Sequence, residues 1–524
     1  MFFSIRIGST LLCLLLAPVA LAGSYPNIRV SQPGTSNPEE VTIAINPVDP
    51  SNLIAGSNLS YSYHSTDGGW TWAQRTISSS MGVWGDPCVI FDAAGNGYYG
   101  HLSNPASGYW LDRIVVQKTT DGGATWNDGV GIGLNPPAQQ DKEWLVADQT
   151  DSPWSGNLYM SWTEFDNYGS PSPGDSSRIL FSRSTSSGAA WDLPVRVSDV
   201  GGNCIDSDLT TEGAVPAVGP GGEIYVSWSR DGAIWFDRST DGGVTFGEDV
   251  FVATQPGGWD FNVPGIYRCN GLPITACDVS NSPYRGTVYV CWGDQRNGTD
   301  DTDVFLIRST DGGATWGSTI TVNDDSGANQ QFFPWMTVDP ATGAVYVVFY
   351  DRRNGAGNET EVYVAMSVDG GSSFTNFVVS DTPFTPTASV FFGDYINIAA
   401  LSGHVYPIWM RLDGQELSVW MAMVDETAGV PAPLPGDSGS APLLVAANPW
   451  RPGAPISFEL GHAARVNVSV FNSGGRLVRT LVDAPRGAGR HSLSWDGDGA
   501  GAGVYFLSIA ADGATNVKKL VVLD

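Results

Sequence analysis

Two short segments set acids beside aromatic residues in a way that could do chemistry: Asp141-Lys142-Glu143-Trp144 and Phe392-Gly393-Asp394-Tyr395. A carboxyl next to an indole is desolvated, keeps its proton to higher pH and can act as a general acid. A second carboxylate or a tyrosine opposite would then serve as base or nucleophile. Asp141, Glu143, Asp394 and Tyr395 are the candidates for those roles, and Trp144 offers a flat face for a sugar ring. Arginine makes a second pattern. Lys and Arg together number only 26 in 524 residues, yet Arg230, Arg296, Arg352 and Arg411 each follow an apolar run. Several guanidinium forks facing one centre would grip a carboxylate bidentately, as a site for sialic acid or a uronate requires. The plainer reading is local, with the arginines paired to neighbours such as Asp294 and Asp351, and the acids and rings engaged in turns and packing.

These residues need elements to position them, and a repeat supplies those. Ser65-Thr66-Asp67-Gly68-Gly69-Trp70-Thr71-Trp72 returns around Asp121, Asp241 and Asp311, more loosely around Asp369, and in decayed form at Ser184-to-Trp191. Asp caps nearby backbone amides, Gly-Gly takes positive φ, and the following aromatic packs beneath, which together make a hairpin turn. Alternating runs surround each copy. In residues 332–380 they read as four short antiparallel strands, with the turn joining the third to the fourth. Four strands per repeated unit predict a β-propeller blade.

Units begin near residues 40, 85, 141, 212, 272 and 330, and a seventh, from Tyr395 to Val424, lacks its outer strand. Asn27-to-Gln32 has no blade of its own and resembles the fourth-strand segment Pro194-to-Asp199. The economical solution is ring closure, with the N-terminal strand completing the last blade. The expected fold is therefore all-β, a seven-bladed propeller with six blades as the alternative, followed by a small β-sandwich. In such a ring the polar loops entering each inner strand converge on the channel. They supply Asp86, Asp206, Asp208, Gln330 and Gln331 besides the acids already named.

The repeated motif resembles the Asp-box, or BNR repeat, of sialidases and related secreted propellers, over roughly residues 25–428. The resemblance implies that Asp67, Asp121, Asp241, Asp311 and Asp369 build turns on the outer lower rim, away from the active face. It leaves two readings of function. One is a carbohydrate-directed propeller that recognises glycans, or acts as a surface scaffold, without catalysis. The alternative is a sialidase-like glycoside hydrolase, either an exo-α-sialidase or another hydrolase of acidic glycans. Sialidases carry an early Phe/Tyr-Arg-Ile-Pro segment, and here the nearest match is Asn27-Ile28-Arg29-Val30, with no proline after it.

Proline-rich residues 429–442 read as a linker. Residues 443–524 alternate as a β-sandwich and resemble the C-terminal immunoglobulin-like modules of FlgD-type and type IX secretion sorting domains. Val470-Phe471-Asn472, Gly475-Arg476-Leu477-Val478, Trp495-Asp496-Gly497 and Gly503-Val504-Tyr505-Phe506 carry that likeness. It implies sorting or attachment, with secretion machinery as a partner. Residues 1–22 read as a secretory signal: Arg6, an apolar Leu11-to-Leu16 stretch and Ala20-Leu21-Ala22. The expected location is outside the cell or on its surface, in a Gram-negative bacterium, and no later run approaches the ~20 apolar residues of a membrane span.

With 54 Asp and Glu against 26 Lys and Arg, the net charge is −28, which repels phosphate backbones and argues against nucleic acid as a partner. Export permits disulfides, and Cys204–Cys269 is the favoured pair. No zinc spacing occurs and no cofactor is expected, although the acid-dense loops Asp300-Asp301-Thr302-Asp303 and Asp324-Asp325 could take calcium.

Overall fold

The computed structural model describes residues 25–425 and, beyond them, 443–446, 455–460, 463–472, 477–487, 489–498, 503–511 and 514–522. The expected signal segment 1–22 and linker 429–442 lie outside the described residues. The chain divides into two compact units, residues 1–401 with 405–424, and residues 425–524 with the short 402–404 segment.

The first unit holds seven four-stranded antiparallel blades. Their inner strands are Thr42–Ile45, Cys88–Phe91, Gln139–Ala147, Thr211–Val218, Ile274–Cys277, Gln331–Val338 and Asn397–Leu401. Consecutive inner strands touch in a closed ring, blade 7 returning to blade 1. The second strands are buried on both faces and so read as unbroken apolar runs, as in Val345–Asp351 and Val288–Asp294. Trp162, Trp228, Trp292 and Trp409 sit fully buried on four of them, between neighbouring blades.

Closure runs as the sequence predicts. Asn27–Arg29 adds to the outer edge of blade 7, with Asn27 opposite Ala422 and Arg29 opposite Trp420. The Val30 amide donates to the Val419 carbonyl at 2.8 Å, and Arg29 pairs with Glu416 at 2.5 Å. Seven blades, rather than six, follow from this strand exchange.

The Asp-box turns share one geometry. Asp241 accepts the Thr245 amide at 3.0 Å, the Thr245 hydroxyl at 2.6 Å and the Ser239 hydroxyl at 2.7 Å. Asp67, Asp121, Asp311 and Asp369 repeat that set. In the decayed copy the Ser186 hydroxyl takes the place of the carboxylate, accepting the Ala190 amide at 2.9 Å. The second glycine of each box lies against the preceding blade. A Cβ on Gly313 would overlap the Phe236 ring, and one on Gly243 would meet Phe181. Each box therefore caps its own hairpin and staples its blade to the one before.

The second unit has two antiparallel sheets. Leu443–Ala446, Pro455–Leu460 and Gly489–Ser494 form one, and Leu477–Arg486, Ala464–Asn472, Gly503–Ala511 and Ala514–Val522 the other. Its core is built on Ile456, Phe458, Val466, Val468, Val470, Trp495, Leu507 and Ile509.

Candidate functional site

The site is assembled where the inner strands begin. In blades 3, 4 and 6 a β-bulge interrupts the pairing between Asp141 and Trp144, Glu212 and Val215, and Phe332 and Trp335. The first of the two residues inside each bulge has left-handed backbone: Lys142 (φ 54°), Gly213 (φ 75°) and Phe333 (φ 50°). Glu40 (φ 55°), Asp86 (φ 50°) and Gly393 (φ 74°) hold the corresponding place in blades 1, 2 and 7. A bulge re-aims side chains, and a non-glycine residue held at positive φ stores strain of a kind that recurs at functional sites. Here the device turns acids from several blades toward one mouth.

At the centre, the Lys142 ammonium lies 2.5 Å from Asp394 and 3.8 Å from Asp86. Arg268 grips the same Asp394 with both edges of its fork, its Nε donating to Oδ1 at 2.8 Å and its Nη2 to Oδ2. The Asn270 amide donates to the Asp394 carbonyl at 2.8 Å. Arg268 also stands 3.7 Å from Asp206, whose carboxylate accepts the Tyr168 hydroxyl at 2.7 Å. Arg268 and Asn270 arrive on a strap between blades 4 and 5 that carries a small hairpin, Asp260–Phe261 with Cys269–Asn270.

Electrostatics divides the acids. Burial would raise Asp394, but Lys142 and Arg268 overcome it and hold this carboxyl well below the usual range. Asp141 is pushed up to about 7, first by burial and then by the charge of Asp86, with Lys142 opposing. Burial likewise lifts Glu40, Glu143 and Glu212 well above ordinary carboxyl values. Glu143 (2 % exposed) and Glu212 (0 %) have no hydrogen-bond partner on either carboxyl oxygen among the described residues. The mouth thus stores protons on some acids while a neighbouring one is firmly ionised.

Three rings form the floor. Trp144 and Trp335 lie 4.3 Å apart, and Tyr395 meets them edge-on or tilted at 5.6 and 5.7 Å. Above them is a cavity of about 50 Å³ lined by Asp86, Lys142, Glu143 and Asp394. Beside it, a second of about 30 Å³ is lined by Asp206, Trp259, Asp260 and Arg268. Below the rings, a channel of about 310 Å³ runs between the inner strands, lined mostly by apolar residues such as Ile43, Val89 and Ile398. On the rim, Trp84 and Trp110 are each 38 % exposed and continue edge-to-face into Tyr168, at 6.4 and 5.5 Å.

Of the expected residues, Asp141, Glu143, Asp394 and Trp144 gather here. Tyr395 does too, but as part of the floor: its hydroxyl donates to the Pro87 carbonyl at 3.0 Å, and burial lifts its pKa well above the ordinary tyrosine value. The four arginines do not line these cavities. Arg230 pairs with Asp249 and stacks over Trp235, Arg296 with Asp294 over Phe305, and Arg411 with Asp381 over Trp420. In blade 6 that outward place belongs to Arg353, on Asp351 and Tyr363. Arg352 instead turns under the strap and donates to the Pro264 carbonyl at 2.7 Å. The Cys204–Cys269 disulfide does not form. Both are buried free thiols, Cys204 against the Asp166 and Asn167 amides and Cys269 on the strap beside Asp394. In the acid-dense loops, the side-chain amides of Asn297 and Asn323 each donate to Asp303 at 2.6 Å, and Asp324 pairs with Arg353. Among the described residues no group of three or more His, Cys, Asp or Glu is set to hold a metal.

Sequence reasoning missed Glu40, Glu212, Arg268, Tyr168, Trp335 and the rim tryptophans. Glu212 could have been found by aligning the blade entries, because it takes the place of Asp141 one blade on. Arg268 had one signal, an unusually long connection between blades.

The FlgD Ig-like domain family matches residues 446–515. A comparison with curated proteins found no match. Similar solved structures include a protein of unknown function from Dyadobacter fermentans, at 12 % identity and a TM-score of 0.41, covering 76 % of this chain and 97 % of that one. Others are the intramolecular trans-sialidase from Ruminococcus gnavus, bound to oseltamivir carboxylate (11 %, 0.41, 65 % and 94 %), and an ulvan lyase of a new polysaccharide lyase family (12 %, 0.44, 77 % and 96 %). The seven-bladed propeller is thus defined by its own sheets, and the segment that follows it in sequence, residues 446–515, is similar to the FlgD Ig-like domain.

Proposed function

We propose that the propeller is a glycoside hydrolase acting at the channel mouth. The supporting observation is the aromatic row Trp84–Trp110–Tyr168, which leads along the rim to Asp206 and its neighbour Asp141. A sugar chain laid on those rings brings a glycosidic bond toward one carboxyl that keeps its proton near neutrality and another that accepts hydrogen bonds. Asp141 is the general acid. Asp206, steadied by Tyr168 and Arg268, is the base or nucleophile. Lys142 and Arg268 fix Asp394, and through it the geometry of the mouth. The C-terminal domain is read as the sorting or attachment module of an exported chain, with residues 1–22 as its leader.

The test is release of sugar by the full chain from a panel of fluorogenic glycosides and polysaccharides. Asp141→Asn is expected to lower kcat about 10²- to 10⁴-fold, and Trp110→Ala to raise KM with kcat little changed. Turnover that survives Asp141→Asn refutes the assignment. Recognition without turnover is the second reading, favoured by the complete engagement of Asp394. Its signature is glycan-array binding with no sugar released from any substrate.

A further inference from the structure

We infer that the mouth selects a sugar bearing a free ammonium group over an acidic one, an inference that rests on the glycan-directed reading of the same site. An acidic sugar needs an unengaged cation. Both cations that line the mouth cavities hold Asp394, and Arg230, Arg296 and Arg411 are tied to Asp249, Asp294 and Asp413 in their own blades. Arg352 has no carboxylate partner, but it lines none of these cavities and is held under the strap by the Pro264 carbonyl. What the mouth leaves unengaged is carboxyl. Glu143 lines the cavity of about 50 Å³, is 2 % exposed, and has two carboxyl oxygens with no partner among the described residues. Asp86, on the lining of the same cavity, adds a second carboxyl to its wall.

A buried polar group without a partner is costly, and an N–H donor that reaches these oxygens removes the cost while gaining a charge-assisted bond. The cavity has room for a few water-sized groups, enough for an ammonium but not for a hexose ring. The ring itself would remain outside, against the rim aromatics. Trp144, Trp335 and Tyr395 line the same cavity, and the faces of aromatic rings favour a cation. The chain's charge of −28 steers cations in and anions away.

Calorimetry on the full chain with three matched probes tests this: tetraglucosamine, its fully N-acetylated counterpart and tetragalacturonate. The free amine is expected to bind about ten-fold more tightly than the acetylated form, with no binding of the uronate. Glu143→Gln, close in shape, should narrow the preference to about two-fold at an unchanged or raised Tm. If that variant unfolds, Asp86→Asn, which removes a carboxyl from the wall of the same cavity, should narrow the preference in the same way. Equal or tighter binding of the acetylated or uronate probe overturns the inference, as does no binding of any. Turnover of neutral glycosides alongside such a result leaves the hydrolase reading standing. Amine-selective binding with no glycoside cleaved refutes the hydrolase and leaves this inference intact.

Discussion

At the turn joining its third and fourth strands, blade 4 carries Asp241; at the opposite end of blade 3, where the inner strand begins, lies Asp141. Burial acts on both, and their outcomes are opposite. Asp241 receives the hydroxyl and amide of Thr245, the Ser239 hydroxyl and the Val244 amide, which overcome the burial and hold it at about 2. Asp141, 6 % exposed, receives one amide, from Lys142, and shares its surroundings with other acids, so it rises to about 7. The lesson concerns hydrogen-bond donors. A carboxyl saturated by local donors is a structural part whose charge is fixed. A carboxyl denied donors and crowded by like charge keeps a mobile proton, at a cost in stability borne by the rest of the blade.

The largest expected effect separates the two ends by function. Asp141→Asn should reduce turnover by the hundred-fold or more given above while leaving the thermal midpoint unchanged or raised. Asp241→Asn should leave kcat untouched, and a fall in kcat would break the comparison. Lys142→Met sharpens it at the mouth, because Asp394 and Asp86 lose a buried counter-ion; about 3 kcal/mol of stability should disappear in urea unfolding. On the rim, Gly313→Ala sets a Cβ against Phe236 at a backbone φ of 84° and should cost about 2 kcal/mol or more. Asp241→Ala removes a set of hydrogen bonds but no packing, and about 1–2 kcal/mol is expected from the same unfolding experiment.

The smallest effect is in pH. Asp141 has a folded value of about 7 against a reference of 3.8, so between those values the folded state binds the extra proton. Its contribution favours folding at low pH and is lost as pH rises through that window; Glu39, raised by burial to about 8, acts in the same sense. Asp121 and Asp241, both held at about 2, act oppositely: their contribution is present above about 4 and lost as pH falls toward 2. Calorimetric Tm should therefore climb on acidification from pH 8 to about pH 5 and drop below about pH 4. Asp141→Asn should flatten only the first slope.

The unequal legibility of the two ends has the same physical root. Asp-boxes are local: seven residues of sequence, as from Ser239 to Thr245, contain the acceptor, its donors and the positive-φ glycines, so the repeat and the blade could be read directly. Even the strand exchange that closes the ring was visible in the likeness of Asn27-to-Gln32 to an outer strand. The mouth is assembled from six blades and a strap. Asp141, Glu143 and Asp394 were legible as acids beside rings, but Lys142, Phe333 and Asp86 reach positive φ without being glycine, and no sequence pattern announces that. The arginines misled because their regular spacing is also the spacing of a structural repeat, a guanidinium stacked on a ring of its own blade. Arg352 broke that repeat, and it turned inward to hold the strap.

The strand that closes the ring has a consequence in time. Asn27 pairs with Ala422, so this N-terminal strand of the propeller waits for nearly the last segment of the ring before it has a partner. Blades 1 to 6 can form hairpin by hairpin from near neighbours, yet blade 7 stays one strand short until the two ends of a very long loop meet. Such a closure is slow because the chain entropy is lost before the contact forms. The ring can therefore be completed only once the chain has been made as far as Ala422. Until then Glu416-to-Ala422 presents an unpaired edge to any other strand it meets.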